Sequence, residues 1–116
     1  MPKDDLVYVG HMPDTARKVA DKVASLGRKD FDKDENLRIA VAHLIQVIGE
    51  AARRVSPAFR DAHPEIPWEA VVGMRHKVVH DYMNVDDNVV WQTATQEMRA
   101  LIASLESLIR SRRGPP

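Results

Sequence analysis

Apolar residues recur every three or four positions in four separate stretches of this chain, the spacing that places them on one face of an α-helix. The apolar positions are Val9, Met12, Ala16, Val19, Val23 and Leu26; Leu37, Val41, Leu44, Ile48, Ala51 and Val55; Trp68, Val71, Val72, Val78 and Val79; and Trp91, Ala94, Met98, Leu101, Leu105 and Leu108. No stretch shows a convincing strand pattern. An all-α fold is therefore predicted, with four antiparallel helices in an up-down bundle.

Capping and helix-breaking residues place the first loops. The charged segment 27–34 is predicted to be a loop, and Asp34 at its end is a suitable N-cap for the second helix. Ser56 and Pro57 end that helix, because the residue before a proline disfavours the helical conformation. The connector 57–66 has room for one short extra helical turn.

The later boundaries follow from the same signals. The third helix is predicted to begin near Pro67, since proline suits the first turn of a helix, and to continue to about Tyr82. Asp86 or Asp87 is the expected cap of the fourth helix.

Two residues inside the predicted helices are poor helix formers. Pro13 lies within the first stretch, so the main helix is expected either to start near Pro13 or to kink there. Gly49, in the middle of the second helix, costs about 1 kcal/mol relative to alanine. We expect the backbone of another element to approach closely at Gly49.

Composition narrows the class of protein. With 116 residues, 44% of them hydrophobic, the chain is predicted to form a single globular domain over 1–116, with its core at about 6–109 and a frayed basic tail at 110–116. The absence of cysteine excludes disulfides, thiolate zinc sites and a cysteine nucleophile. No apolar run approaches the roughly 20 residues of a membrane span, and the N-terminus lacks a signal-peptide pattern, so a cytoplasmic protein without membrane contact is expected.

Charge constrains any contact with nucleic acid. The 17 basic and 17 acidic residues give a net charge of zero, which argues against binding of nucleic acid by overall charge. Such contact would have to come from a local basic patch.

The end of the third predicted helix carries candidate chemistry. His80 can act as a general base or acid near neutral pH, and Arg75 can hold a phosphate and stabilise developing negative charge. Tyr82 adds a phenol and Lys77 a second cation. These are the groups needed to cut an RNA phosphodiester, by attack of its 2′-hydroxyl, without a metal.

Geometry and simpler explanations limit this interpretation. On a regular helix, Arg75 and His80 would lie about 140° apart. Either the long arginine bends round, or the helix end is irregular near Tyr82, or a second protomer completes the site. The last is favoured, because one histidine cannot easily be both base and acid for one bond. Basic residues at a helix C-terminus also stabilise the helix dipole without any function. The pair His76 and His80 has zinc-site spacing but no obvious third ligand, so no metal site is predicted.

Polar residues also follow one side of the second helix, at His43, Gln46, Glu50 and Arg54. They form either a solvated face or a functional stripe in which Glu50 lies inside the bundle and orients Arg75 or His80. Similarly, Arg53, Arg54 and Arg60 are either ordinary surface charges or a phosphate-binding patch. Trp68 and Trp91, by contrast, lie on apolar stripes and are predicted to pack in the core.

Three runs of residues resemble the HEPN superfamily in its HepT-like branch, the toxin half of HepT/MntA toxin–antitoxin pairs. They are the signature Arg75-x4-His80-x-Tyr82, the run Ile-Gly-Glu-Ala-Ala at 48–52 and the run Pro-Glu-Ile-Pro-Trp at 64–68. Trp91 follows at the corresponding place in the last helix. The resemblance covers residues 6–109, although Gln46 replaces an acidic residue found in many relatives.

The resemblance implies an all-α homodimer whose two signature helices face a shared cleft. It implies a metal-independent endoribonuclease that needs no cofactor, acts on RNA and uses the matching Arg75 and His80 as catalytic residues. Lys77, Glu50 and His76 are expected, from their own chemistry and position, to support the site or to contact RNA. The resemblance further implies a small MntA-like nucleotidyltransferase antitoxin that transfers AMP from ATP to the motif tyrosine, here Tyr82.

Two other functions are compatible with the sequence. In the first, the domain is a non-catalytic module in which Arg75 and Lys77 hold a nucleotide phosphate and His80 shapes the pocket. In the second, the chain is a structural dimer whose apolar helices dock a partner protein.

Overall fold

The computed structural model describes the backbone of residues 3–81 and 84–112 and the side chains of residues 5–78 and 85–111. This part of the chain is mostly α-helical, as predicted. The elements in chain order are α1 (Lys3–Val23), α2 (Arg28–Lys33), α3 (Glu35–Arg54), α4 (Pro57–Ala62), α5 (Trp68–Val78), β1 (Val79–Asp81), β2 (Asn84–Val85), α6 (Asp87–Gln92), a π-helical segment (Thr93–Glu97) and α7 (Met98–Arg112). Among the described residues, no helix is both long and apolar enough to cross a membrane.

Four helices carry most of the packing. Helix α1 contacts α3 on one side and α7 on another, and α3 in turn contacts α5. The core between them is mainly aliphatic, and four of its most buried members are Val19, Ile45, Val71 and Leu105. Each of these residues comes from a different helix, so the apolar faces of all four helices meet in one core.

The predicted apolar stripes of the first and last helices are confirmed. Five of the six apolar positions of the first stretch are buried, and so are five of the six in the last. Trp68 is buried, and its Nε1 donates a hydrogen bond to the His63 carbonyl at 2.9 Å. Trp91 packs against the core, with its ring centroid 5.2 Å from that of Phe31. Core packing, predicted for both tryptophans, is therefore observed.

The segment 27–34, predicted to be a loop, instead contains the short helix α2. Phe31 is fully buried against Trp91, and this tertiary contact anchors a segment whose other side chains are mostly charged. The Asp30 carboxylate also accepts a hydrogen bond from the Gly27 amide at 2.9 Å and so stabilises the helix start. The predicted N-cap is confirmed, because the Asp34 side chain accepts from the Leu37 amide at 3.0 Å.

Pro13 lies inside α1, which begins at Lys3, so the first of the two expected alternatives, a helix start near Pro13, is wrong. A proline in a helix interior costs about 3 kcal/mol. The N-terminal part of α1 buries Val9 and Met12 in the core, and burial of two such side chains outweighs that cost.

The third predicted helix ends earlier than expected. Helix α5 stops at Val78, and the next residues form β1, which pairs antiparallel with β2. The Asp86 amide donates to the Val78 carbonyl at 2.8 Å, and the Asp86 carboxylate caps α6, as one of the two predicted alternatives. Because the chain leaves the helix before His80, the angle of about 140° expected for Arg75 and His80 on one regular helix does not apply.

The short extra helical turn predicted in the connector 57–66 is present as α4. At the other end of the chain, α7 continues to Arg112, so the first three residues of the predicted basic tail are helical. Residues 113–116 lie outside the described residues.

A buried carboxylate ties the start of α1 to the start of α4. Asp5 is only 2% exposed, and its two oxygens accept hydrogen bonds from the Ser56 amide and hydroxyl, both at 2.7 Å. The same Ser56 hydroxyl accepts from the Phe59 amide at 3.2 Å and so caps α4. Asp5 therefore holds the cap of one helix from the first turn of another.

Replacing Asp5 with alanine is expected to lower the free energy of unfolding by about 1.5–3 kcal/mol, because two donors lose a charged acceptor in a buried place. Asp21→Ala, which removes an exposed carboxylate from the same helix, should change stability by at most about 0.5 kcal/mol. Urea denaturation of both variants measures the difference. Equal stability of the two would contradict a structural role for the Asp5 carboxylate.

Candidate functional site

Helices α3 and α5 come close together at Gly49. A Cβ atom at this position would lie 3.3 Å from the Val71 carbonyl oxygen and 3.5 Å from the Arg75 Cβ. The close backbone approach predicted from Gly49 is therefore confirmed. It brings the first residue of the sequence signature, Arg75, alongside α3.

Glu50 is the residue of α3 that meets Arg75. The Arg75 Nη1 donates to Glu50 Oε2 at 3.4 Å. Arg53 contacts the same carboxylate through Nη2 at 2.6 Å and Nε at 3.1 Å, and Arg54 through Nε at 3.2 Å. One carboxylate thus joins three guanidinium groups, and we call Glu50, Arg53, Arg54 and Arg75 the arginine cluster.

The contact expected between Glu50 and Arg75 is observed, but the position expected for Glu50 inside the bundle is wrong. Its carboxylate does contact Arg75, as the functional alternative required. However, the Glu50 side chain is 32% exposed, so it lies at the surface and not inside the helix packing. A glutamate that pairs with three long arginines requires space and solvent that the aliphatic core does not offer.

Electrostatics keeps Glu50 ionised. The hydrogen bond from Arg53 is the main cause that lowers its pKa to about 2, with Arg54 adding to this effect and desolvation opposing it. The same contact raises the pKa of Arg53, while contacts with Tyr8 and Glu50 raise that of Arg54. Glu50 is therefore a permanent anion near neutral pH and does not serve as a general acid or base there.

A shallow groove lies between α3 and α5, with a volume of about 300 Å³. Its lining residues are His43, Gln46, Val47, Glu50 and Arg75. Three of these, His43, Gln46 and Glu50, belong to the polar stripe predicted on the second helix. The stripe therefore borders the α3–α5 groove and faces Arg75.

Lys77 and His76 occupy different surroundings. Lys77 borders another cleft, of about 220 Å³, between α5 and α7, where Glu97 also lies. His76 is exposed on α5. In the described part of the chain, no group of three or more histidine, aspartate or glutamate residues is arranged to hold a metal ion. Lys77 thus borders a different cleft from the one that Arg75 borders.

The second and third residues of the signature follow the end of α5. The backbone of His80 belongs to β1, two residues beyond the last helical residue, and its side chain is outside the described side chains. The prediction for Tyr82 lies outside the described residues. Among the described side chains, the candidate site therefore consists of Arg75 and its partners on α3.

Sequence reasoning underestimated Arg53 and Arg54 and missed Tyr8. The signal for the first two was present, because Glu50, Arg53 and Arg54 have the i, i+3 and i, i+4 spacing of helical ion pairs. The contact of Arg54 with Tyr8 of α1 could not be read from spacing. Arg60, grouped with these arginines in the sequence, instead donates from Nε to the Val55 carbonyl at 3.1 Å.

The fold and the groove define a small helical protein with a local excess of arginine, the kind of site that suits a phosphate. Residues 12–108 match the family described as Ribonuclease HepT-like, and the chain belongs to this family.

Individual relatives of the chain also carry ribonuclease names. The chain is similar to the protein named "Probable ribonuclease HepT" of Thermococcus cleftensis, with 36% identity over 69% of this chain and 73% of that protein. It is 28% identical to a protein named as a putative RNase from Caldanaerobacter subterraneus subsp. tengcongensis, over 89% of this chain and 92% of the relative. A protein from Methanocaldococcus jannaschii that is also named as a putative RNase is 28% identical over 98% of this chain and 95% of the relative's length. No solved structure matches the chain.

Proposed function

We propose that this protein is a metal-independent endoribonuclease and the toxin of a toxin–antitoxin pair. The observation that carries the proposal is the position of Arg75, an exposed arginine held beside a groove by Glu50, in a chain of a ribonuclease family. A fixed arginine at the surface is suited to bind a phosphodiester, since its planar fork of N–H groups matches two phosphate oxygens.

The reaction is attack of the RNA 2′-hydroxyl on the adjacent phosphorus. A general base removes the 2′-hydroxyl proton as the O2′–P bond forms, and a general acid protonates the O5′ atom as the P–O5′ bond breaks. His80 supplies one of these proton transfers, and Arg75 stabilises the charge that develops on the phosphoryl oxygens. The products are a 2′,3′-cyclic phosphate and a 5′-hydroxyl, and no metal or cofactor takes part.

A second protomer is proposed to complete the site, because one imidazole cannot readily be base and acid for the same bond. The exposed apolar residues Ile39 and Val47 support an interface at this place, since they flank His43 at intervals of four on α3. In this arrangement each chain is one domain over 1–116, an up-down four-helix bundle with its core at about 6–109. The two α3–α5 grooves border a shared cleft.

Control is proposed to act at Tyr82. An MntA-like nucleotidyltransferase antitoxin would bring ATP, the tyrosine oxygen would attack the α-phosphorus, and pyrophosphate would leave. The AMP group adds negative charge and bulk beside the arginine of the motif, so it repels RNA and occupies Arg75. His76 and Lys77 then act only as secondary RNA contacts. Dependence on ATP as the AMP donor suits a cytoplasmic system.

The test is cleavage of single-stranded RNA by purified protein in the presence of a metal chelator. Wild-type protein is expected to cut, and His80→Ala is expected to lower the rate by about 10²–10⁴-fold, the usual contribution of general acid–base catalysis. The control is His11→Ala, which removes an exposed histidine from α1 and should leave cleavage unchanged.

Two outcomes would contradict the proposal. One is equal cleavage by wild-type protein and His80→Ala, and the other is cleavage that requires a divalent metal. Calorimetry with ATP on the same sample distinguishes the ribonuclease from the alternative function, a nucleotide-binding module. Tight ATP binding without any RNA product would favour a nucleotide-binding module, whose phosphates the arginine cluster could also hold.

A further inference from the structure

We propose that Arg53 and Arg54 form a second phosphate-binding subsite beside Arg75, which holds the backbone of single-stranded RNA next to the phosphate that is cut. This inference rests on the proposed function, because it assumes that RNA is the substrate and that the reacting phosphate lies at Arg75. It assigns a binding role to two residues that lie outside the Arg-x4-His-x-Tyr signature.

The first argument is the sharing of one carboxylate. Arg53 Nη2 and Arg54 Nε both contact Glu50 Oε1, at 2.6 Å and 3.2 Å, while Arg75 Nη1 contacts Oε2 at 3.4 Å. The three guanidinium groups are therefore separated by no more than the span of a single carboxylate and its contacts. A strand that binds Arg75 through one phosphate therefore has Arg53 and Arg54 within reach of a neighbouring phosphate.

The second argument is access. The side chains of Arg53, Arg54 and Arg75 are 57%, 55% and 55% exposed, so each guanidinium has a face open to solvent. A guanidinium carries five N–H donors. The contacts with Glu50 use Nε and Nη2 of Arg53, Nε of Arg54 and Nη1 of Arg75, and Arg54 also contacts Tyr8. Because none of these contacts uses all five N–H donors of a guanidinium, each group keeps donors for phosphate oxygens.

The third argument is charge. Three guanidinium groups share one carboxylate, and Glu50 stays ionised at neutral pH because its pKa is about 2. The cluster therefore carries an excess of two positive charges, although the whole chain has a net charge of zero. It is the local basic patch that a neutral protein needs to bind a polyanion.

The carboxylate also has a physical purpose in such a site. Without Glu50, the three like charges would repel one another, and each long side chain would sample many rotamers. The shared anion holds them together before RNA arrives, so less conformational entropy is lost when a phosphate binds. Glu50 thus acts as a positioning residue for all three arginines.

A purely structural role makes a different prediction. Arg53 and Arg54 lie in the last turn of α3, where basic residues favour the helix dipole and pair with Glu50 at helical spacing. In that case their removal would slightly weaken the helix and leave the affinity for RNA unchanged. The two roles are therefore separated by a binding measurement.

The experiment compares Arg53→Gln/Arg54→Gln with the control Lys18→Gln/Lys22→Gln. The control removes the same charge from exposed positions of α1 that do not line the α3–α5 groove. Binding is measured by fluorescence anisotropy with a labelled single-stranded 2′-O-methyl oligoribonucleotide, which cannot be cut by 2′-hydroxyl attack. Titrations are repeated over a range of salt concentrations.

For the arginine double variant, the slope of log K against log salt is expected to become shallower by about 0.7 for each lost phosphate contact, hence by about 1.4. At physiological salt the Kd rises on the order of 10-fold. Arg53→Lys/Arg54→Lys keeps both charges and should keep the salt slope. With cleavable RNA, Arg53→Gln/Arg54→Gln is expected to raise KM more than it lowers kcat.

Two results overturn the subsite while leaving the proposed function intact. In the first, wild-type protein cuts RNA, but the arginine double variant has the wild-type Kd and salt slope. In the second, the control Lys18→Gln/Lys22→Gln lowers the affinity and the salt slope as much as Arg53→Gln/Arg54→Gln does, which means that only the overall charge of the protein matters. Failure of wild-type protein to cut RNA is a separate observation and overturns both proposals.

Discussion

Replacing Arg75 with glutamine is expected to lower kcat/KM for RNA cleavage by about 10²–10³-fold, the usual cost of removing one group that stabilises transition-state charge. The physical reason is that the charge on the phosphoryl oxygens increases as the O2′–P bond forms. Glutamine keeps one hydrogen-bond donor group near this position but has no charge. Arg75→Lys keeps the charge without the planar fork and should recover only part of the rate.

Arg75 is a clean position for this measurement because it is a surface residue. Its side chain is 55% exposed and lies outside the core cluster; among the described side chains it pairs with Glu50, at 3.4 Å, so its replacement leaves the aliphatic core intact. The matched control is Arg99→Gln, which removes an exposed arginine from α7. Steady-state cleavage and circular dichroism are measured for all variants. Wild-type kcat/KM in Arg75→Gln would refute the catalytic role.

Replacing Gly49 with leucine is expected to destabilise the protein by about 1–3 kcal/mol and to lower RNA cleavage by about 10²-fold. Even a bare Cβ would lie 3.3 Å from the Val71 carbonyl, and the remaining leucine atoms have to enter the α3–α5 contact. Backbone atoms cannot rotate away as a side chain can. Helix α5 must therefore shift, and Arg75 moves with it.

The control for this prediction is Gly10→Leu. Gly10 is also inside a long helix, but a Cβ added there meets no atom within 4 Å. This variant should gain about 1 kcal/mol from the better helix propensity of leucine and should keep its activity. Urea denaturation at one protein concentration and the cleavage assay give both quantities. If Gly49→Leu matched Gly10→Leu in stability and rate, close helix packing would not position Arg75.

Periodicity predicted the regular part of the fold well. Five of the six apolar positions in each of the first and last predicted stretches are buried as the spacing indicates, because a long amphipathic helix turns one apolar face to the core. Residue type also predicted the helix N-caps, since an aspartate side chain reaches the amides of the next turn independently of the rest of the fold. Asp34 and Asp86 both cap helices in this way.

Predictions failed where tertiary contacts outweigh local preference. The charged segment 27–34 is helical because Phe31 is buried against Trp91, a residue 60 positions further along the chain. The helix runs through Pro13 because Val9 and Met12 pack in the core. The end of α5 at Val78 depends on pairing of β1 with β2, which single-residue propensities do not reveal.

The same division applies to the candidate site. The sequence by itself determined the mostly helical fold, the close approach at Gly49 and the Ribonuclease HepT-like family, because spacing and residue type carry that information. Only the tertiary structure decided that Glu50 lies at the surface, that it joins Arg75 to Arg53 and Arg54, and that Lys77 borders a different cleft. The physical reason is that a contact between α3 and α5 depends on how two helices cross, and the crossing is set by the packing of the whole core.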